Sequence, residues 1–281
     1  MDIAVIGSIN MDYSSKVANL PKRGETITSQ LFQMKGGGKG ANQAVAASRL
    51  GAEVYMVGAV GADSAGRLLL KRLKDEDVDI TDIYQVEDPT GNALITIDDE
   101  GNNTIVVYPG ANSRVDTKMI DAHSKKLETC RAIVLQLEIP IETVYYISCF
   151  AHGRGIPVIL DPAPAAKLPM DIYPMIHTIT PNETELRALT GVENIEDGAK
   201  RLLDFGVKEV IVTLGDKGCF YANEQESFYV EAFSAEAVDT TAAGDSFNGA
   251  FAVAMVEGQP IKEALRFSNA VGSLTATKFG A

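Results

Sequence analysis

The sequence is short of basic residues: 25 Lys and Arg stand against 38 Asp and Glu, a formal charge of −13 over 281 residues. A nucleic-acid or anionic-membrane surface needs a basic face, so neither partner is expected. Cysteine is scarce as well. Cys130, Cys149 and Cys219 are an odd set with no CxxC spacing, which argues against a disulfide framework or a zinc site. Reduced core thiols in a cytoplasmic protein are the expectation. No apolar run is long enough to span a bilayer. The opening Met-Asp-Ile-Ala-Val-Ile-Gly has an acid at position 2 and no basic segment ahead of its apolar run, so it reads as a first strand rather than a leader peptide. His123, His152 and His177 are scattered, and neither a histidine metal site nor a Ser-His-Asp arrangement is apparent. Two nucleotide fingerprints are missing too. Lys39-Gly40 lacks the following Ser/Thr and the preceding glycine of a Walker A loop. The first strand ends Gly7-Ser-Ile-Asn-Met-Asp12 without G-x-G-x-x-G.

What is present is ordinary globular composition, 46% apolar and 22% charged. Short apolar runs at 3–7, 54–57, 132–137, 158–160 and 210–214 read as buried strands. Segments with helical spacing lie between and after them, at 41–50, 68–73, 143–151, 183–189, 198–205, 243–257 and 261–277. Alternating strands and helices predict an α/β fold: a three-layer α/β/α domain over residues 1–281 with a mainly parallel central sheet. Two regions break the rhythm. Residues 11–33 hold a Pro-Lys-Arg-Gly turn and Thr-rich alternation. Residues 91–108 read as a hairpin with an Asp-Asp-Glu-Gly-Asn-Asn turn. No helix follows to cover that hairpin. A small separate β-sheet is expected from about 12–34 and 91–108, a lid whose open apolar face pairs with a second subunit.

Chemistry concentrates in a few stretches. In Asp239-Thr-Thr-Ala-Ala-Gly-Asp245-Ser-Phe-Asn-Gly, small residues run straight into a helix. The first turn of a helix has unpaired N–H groups and a partial positive charge, so Ala242, Ala243 and Gly244 leave an anion free access to it. Asp245 then sits beside the anion. Taken alone, Asp245 is equally an acid that favours the helix dipole. Lys35-Gly-Gly-Gly-Lys-Gly-Ala-Asn42 lets backbone approach a ligand, or serves as a turn into a helix. Asn10 and Asp12 follow the first strand two residues apart, so both point one way. They suit a polyhydroxylated ligand or cap a turn. Asn182 and Glu185, in Thr-Pro-Asn-Glu-Thr-Glu, fit a helix capping box and also a hydrated Mg²⁺, which keeps several waters. Thr213-Leu-Gly215-Asp-Lys-Gly218 ends a strand in a glycine-flanked turn.

Together these segments resemble the PfkB carbohydrate kinase family, over essentially the whole chain. Gly37-Gly-Lys-Gly-Ala-Asn42 is similar to the family's N-terminal signature, and the stretch from Asp239 to Gly249 to its C-terminal one. The resemblance implies an ATP-dependent sugar kinase with Mg²⁺, dimeric through the β lid. It implies Asp245 as catalytic base and Ala242, Ala243 and Gly244 as anion hole. It implies sugar contacts at Asn10, Asp12, Gly37, Gly38, Lys39, Asn42 and Glu138, and nucleotide contacts at Asn182, Glu185, Thr213, Gly215, Gly218, Gly244 and Asn269. It also implies a monovalent cation, K⁺, beside the anion hole at Asp239, Thr241, Thr275, Lys278 and Gly280. There the pattern departs. Family members continue past Gly280-Ala281, and that tail usually adds a cation ligand and a last helix. Either the chain is a piece of a longer one or the cation site is incomplete. Within the family, Gly7-Ser-Ile-Asn-Met-Asp12 and Ala-Ala-Gly-Asp245 look most like members acting on ribose, with fructose, 2-keto-3-deoxygluconate, deoxyribose and nucleosides as alternatives.

Overall fold

The computed structural model describes residues 1–278. Its strands are β1 (Ile3–Ile6), β2 (Asn10–Lys16), β3 (Leu31–Gly37), β4 (Val54–Gly61), β5 (Asp79–Val86), β6 (Gly91–Ile97), β7 (Asn103–Tyr108), β8 (Ala132–Leu135), β9 (Val158–Leu160), β10 (Thr178–Ile179), β11 (Glu209–Thr213), β12 (Cys219–Asn223) and β13 (Ser227–Val230). Its helices are α1 (Lys39–Arg49), α2 (Ser64–Asp75), α3 (Thr117–Ala122), α4 (Ser124–Leu127), α5 (Ile141–His152), α6 (Glu183–Thr190), α7 (Ile195–Asp204), α8 (Ala243–Val256) and α9 (Ile261–Ala276).

Nine strands form one sheet in the order β13-β12-β11-β10-β9-β8-β1-β4-β5. All pairs from β5 to β11 are parallel, and β12 and β13 extend the sheet antiparallel. The parallel strands are apolar throughout because both faces are covered. One apolar layer joins the sheet to α1, α2, α8 and α9 through Ala44, Leu69, Phe251 and Leu265. The other joins it to α3, α5, α6 and α7 through Ile120, Val144, Leu186 and Leu202. This is the three-layer α/β/α arrangement expected from the alternation.

β1 lies mid-sheet, with the chain continuing to β4 on one side and returning at β8 on the other. Ligands in open α/β sheets bind beyond the carboxyl ends of strands at such a reversal of strand order. Ser8 and Asn10 follow β1, Gln136 and Glu138 follow β8, Asp161 follows β9 and Asn182 follows β10. Four consecutive strand ends therefore deliver polar side chains to one edge.

The second sheet has the order β3-β2-β6-β7. β2 pairs antiparallel with β3 and parallel with β6, and β6 pairs antiparallel with β7. It is the expected small sheet, with its first two strands spanning Asn10 to Gly37 rather than 12–34. β7 has no buried face. It is an edge strand exposed at all six residues, including Ile105, Val106, Val107 and Tyr108.

Candidate active site

Asp245 lies in the first turn of α8, whose N-cap Ala242 adopts the left-handed conformation (φ 60°, ψ 10°). A non-glycine residue there is uncommon, and it turns the chain sharply into the helix. The Ala243 N–H is engaged by the Thr240 carbonyl at 3.2 Å. Among the described residues no backbone acceptor takes the N–H of Ala242 or Gly244. A Cβ added at Gly244 would meet no atom from elsewhere in the described fold within 4 Å. Two of the three expected anion-hole donors are thus available, and the third serves the turn.

Asp245 is only 6% exposed and is held by donors from α1. Asn42 Nδ2 donates to its Oδ2 at 2.9 Å and Gln43 Nε2 to its Oδ1 at 3.3 Å. The Lys39 ammonium lies 3.6 Å from Oδ1 and 3.3 Å from Asp161 Oδ2. Burial works against the charge on Lys39, but Asp161, Asp245, Glu138 and Glu185 together hold its pKa well above the ordinary lysine value. Burial and the neighbouring Asp245 push Asp161 up to about 7, with Lys39 pulling the other way.

The expected sugar-side residues converge at the same place. Glu138 accepts from Ser8 Oγ at 2.5 Å and from the Lys39 N–H at 3.1 Å. Asn10 Oδ1 accepts from Asn112 Nδ2 at 2.7 Å, and Asn112 Oδ1 accepts from the Ile9 N–H at 2.9 Å. Asp12 pairs across β2 and β3 with Lys35. Burial, then Glu138 and Asp245, push its pKa up to about 6, against the opposing Arg72. Gly37 is needed for close approach: a Cβ there would lie 2.1 Å from Asp12 Oδ2. Gly38 has φ 89°, open only to glycine without strain.

Of the residues expected to contact a nucleotide, Asn182 and Glu185 form the expected capping box. Asn182 Oδ1 accepts from the Glu185 N–H at 2.9 Å, and Glu185 Oε2 accepts from the Asn182 N–H at 2.8 Å. Asn182 also bridges Thr213. The box uses one oxygen of the Glu185 carboxylate, which leaves the second for an outer contact such as a metal-bound water. No group of three or more His, Cys, Asp or Glu among the described residues makes a metal cage. A hydrated ion held mainly by phosphates fits these donors. Thr213, Gly215 and Gly218 share the turn between β11 and β12. Asn269 on α9 donates to the carbonyls of Val230 and Glu231 at 3.1 and 3.2 Å, and those two residues lie against Gly218. Beside them is a groove of about 530 Å³ lined by Phe228, Val230, Phe233, Lys262 and Arg266.

For the cation set, Val238 and Asp239 donate their N–H groups to the Ala276 carbonyl. That brings Asp239 beside the end of α9, where Thr275 and Lys278 lie. Thr241 N–H is held by Asp239 Oδ1 at 2.9 Å. Gly280 lies outside the described residues.

Free backbone N–H groups beside a buried carboxylate suit a transferring phosphoryl group, and the adjoining cluster of polar side chains has the chemistry to take a polyol. Such an arrangement suits a phosphotransferase for a small hydroxylated molecule. The chain matches the family described as pfkB family carbohydrate kinase over residues 1–281. It is 39% identical over 285 residues to a ribokinase of Haemophilus influenzae, covering 99% of this chain and 93% of that protein. It is 38% identical over 273 residues to a deoxyribokinase of Salmonella typhi, covering 95% and 89%. The solved structure of Arabidopsis thaliana ribokinase complexed with ribose and ATP matches with a TM-score of 0.94 at 36% identity, covering 100% of this chain and 94% of that one. The chain belongs to the pfkB family of carbohydrate kinases and is a phosphotransferase acting on a sugar hydroxyl.

Sequence reasoning missed Ser8, Gln43, Arg72, Asn112, Gln136 and Asp161. Gln43 and Gln136 are fully buried polar side chains. Such residues inside apolar helix and strand patterns are the signal that was there to read.

Proposed function

We propose that the protein transfers the γ-phosphoryl group of ATP to O5 of D-ribose, giving D-ribose 5-phosphate and ADP. The observation that carries this reading is the buried Asp245 at the open N-terminus of α8. Asp245 accepts the proton of the O5 hydroxyl. The O5–Pγ bond forms while the bond from Pγ to the β,γ-bridging oxygen breaks, and ADP leaves with that oxygen. The N–H groups of Ala242 and Gly244 receive the equatorial oxygens of the moving phosphoryl group. The donors that Asp245 accepts from hold it in place, and a loose transition state demands placement of the hydroxyl more than base strength.

Asn10, Asp12, Gly37, Gly38, Lys39, Asn42 and Glu138 hold the sugar hydroxyls. Thr213, Gly215, Gly218 and Asn269 border the nucleotide, and the groove with Phe228 and Phe233 offers apolar surface to its base. Asn182 and Glu185 would hold Mg²⁺ through water, and the ion supplies charge neutralisation on the phosphates. Asp239, Thr241, Thr275 and Lys278, with Gly280, are the proposed K⁺ set, which would fix the loop that aims α8. The exposed face of the small sheet is the proposed homodimer contact, and the sheet closes over the sugar. No described helix is long and apolar enough to cross a membrane, and the proposed place of action is the cytoplasm.

A second reading is 2-deoxyribose as the preferred sugar, supported by the 38% identity to a deoxyribokinase. The deciding experiment measures kcat/KM with ATP for ribose, 2-deoxyribose, fructose, 2-keto-3-deoxygluconate and a nucleoside, in potassium and in sodium. The highest value for ribose supports the proposal. A higher value for any other acceptor replaces the substrate, and equal rates in both salts remove K⁺.

A further inference from the structure

Two buried carboxylates, Asp161 and Asp245, come from different elements and share the same two donors. Asp161 follows β9 and is 4% exposed. Lys39 Nζ stands between the two, 3.3 Å from Asp161 and 3.6 Å from Asp245. The Gln43 amide does the same, donating at 2.9 Å to Asp161 Oδ2 and at 3.3 Å to Asp245 Oδ1. The orientation of that amide is fixed from behind, because Gln136 Nε2 donates to Gln43 Oε1 at 2.6 Å. A flipped Gln43 would set its NH₂ against the Gln136 NH₂ and aim a carbonyl at two carboxylates. The other end of Gln136, Oε1, is buried with no partner among the described residues. An unpartnered buried acceptor is costly, so it is retained where the opposite end of the amide has work to do.

We propose that Asp161 is a positioning residue for phosphoryl transfer: with Gln43 and Gln136 it keeps the Lys39 ammonium shared, so that Lys39 does not neutralise Asp245. Without Asp161, Lys39 collapses onto Asp245 Oδ1 and competes for the lone pair that receives the sugar proton. The inference rests on the proposed role of Asp245 as base. Protonation of Asp161 has the same effect as its removal. The charged groups bearing on it are Lys39 from α1, Asp245 from α8 and Glu185 from α6, and its pKa of about 7 results from burial against Lys39. Below that pH Asp161 is neutral and releases Lys39. The acid limb of kcat therefore belongs to Asp161.

The test is steady-state ribose phosphorylation by wild type, Asp161→Asn, Gln43→Met and Asp245→Asn, with pH profiles and melting curves. Asn is isosteric with Asp and keeps an acceptor for Gln43. Asp161→Asn is expected to lose about tenfold or more in kcat, with KM for both substrates within about twofold. Its melting temperature stays near that of wild type, and its kcat is flat across the window around pH 7 where wild type rises. Gln43→Met loses kcat similarly, and a variant carrying both Asp161→Asn and Gln43→Met loses less than the product of the two, because both act through one contact. Wild-type kcat with an unchanged acid limb in Asp161→Asn overturns the inference, as does a loss that only tracks the folded fraction. If Asp245→Asn is inactive while Asp161→Asn is normal, this inference alone fails. If Asp245→Asn keeps its turnover, the role of Asp245 fails and this one goes with it.

Discussion

The cluster at the ends of β1, β8 and β9 and the small sheet adjoin where β2 begins at Asn10, but they are built oppositely. At the strand ends and the adjoining start of α8, charge is hidden: Asp161 and Asp245 are each less than a tenth exposed, and Lys39 and Gln43 contact both. On the small sheet, apolar surface is shown: Val106 is 65% exposed, Phe32 57%, and Leu94 and Ile105 54% each. Hidden charge is tolerated only where it is paired and hydrogen-bonded. Exposed apolar surface on a sheet persists where something covers it in use. The contrast separates a buried polar centre, the proposed seat of the chemistry, from an exposed apolar surface, the proposed lid and dimer contact.

Apart from loss of Asp245 itself, the largest expected effect comes from filling the anion hole. Gly244→Val places a side chain in space that is now open, so the fold survives. The blocked N–H groups should lower kcat/KM by about 10²–10³, the usual cost of losing such a donor. A rate close to wild type would move the anion site elsewhere. On the other side of the contrast, Ile105→Asp should turn a dimer into a monomer in sedimentation velocity, while melting temperature holds because Ile105 contributes little to the core. A monomeric wild type would remove the dimer from the account.

Asp12 links the two regions, since it sits on β2 yet titrates with the buried cluster. Its pKa is raised to about 6 from an ordinary 3.8. As pH falls through about 6, Asp12 takes up a proton and stops accepting from sugar hydroxyls. KM for the sugar should therefore rise on the acid side, and Asp12→Asn should show no such rise. A parallel rise in both proteins would assign the titration to another group. The smallest expected effect is at Gly37. Gly37→Ala sets a methyl against Asp12 Oδ2, and sugar KM should rise about tenfold, the scale of one perturbed charged hydrogen bond. Unchanged KM would mean that β3 shifts without disturbing Asp12.

The centre was partly legible in the sequence because Asp245 and Gly244 stand in a run of small residues that leads into a helix. Asp161 was not, because Asp161-Pro162 reads locally as the turn after β9. Gln43 reads as one polar position on an alanine-rich helix, yet it lies on the buried face with Ala44 and Ala47. Their roles come from tertiary packing that joins residues more than 90 positions apart. In the fold, β5 escaped notice because acids interrupt its apolar residues, and Asp79 and Asp82 are answered only in space by Lys126. The turn between β12 and β13 lacks glycine. It is closed instead by Asn223 Oδ1, which accepts from the N–H groups of Gln225 and Glu226.

The most direct test of the central claim is the rate of phosphoryl transfer from ATP to ribose in Asp245→Asn, measured beside ribose binding by calorimetry. Ribose affinity close to wild type, with the rate lower by about 10²–10⁴, is the predicted result for removal of a general base. Turnover near that of wild type would contradict it and remove Asp245 from the mechanism.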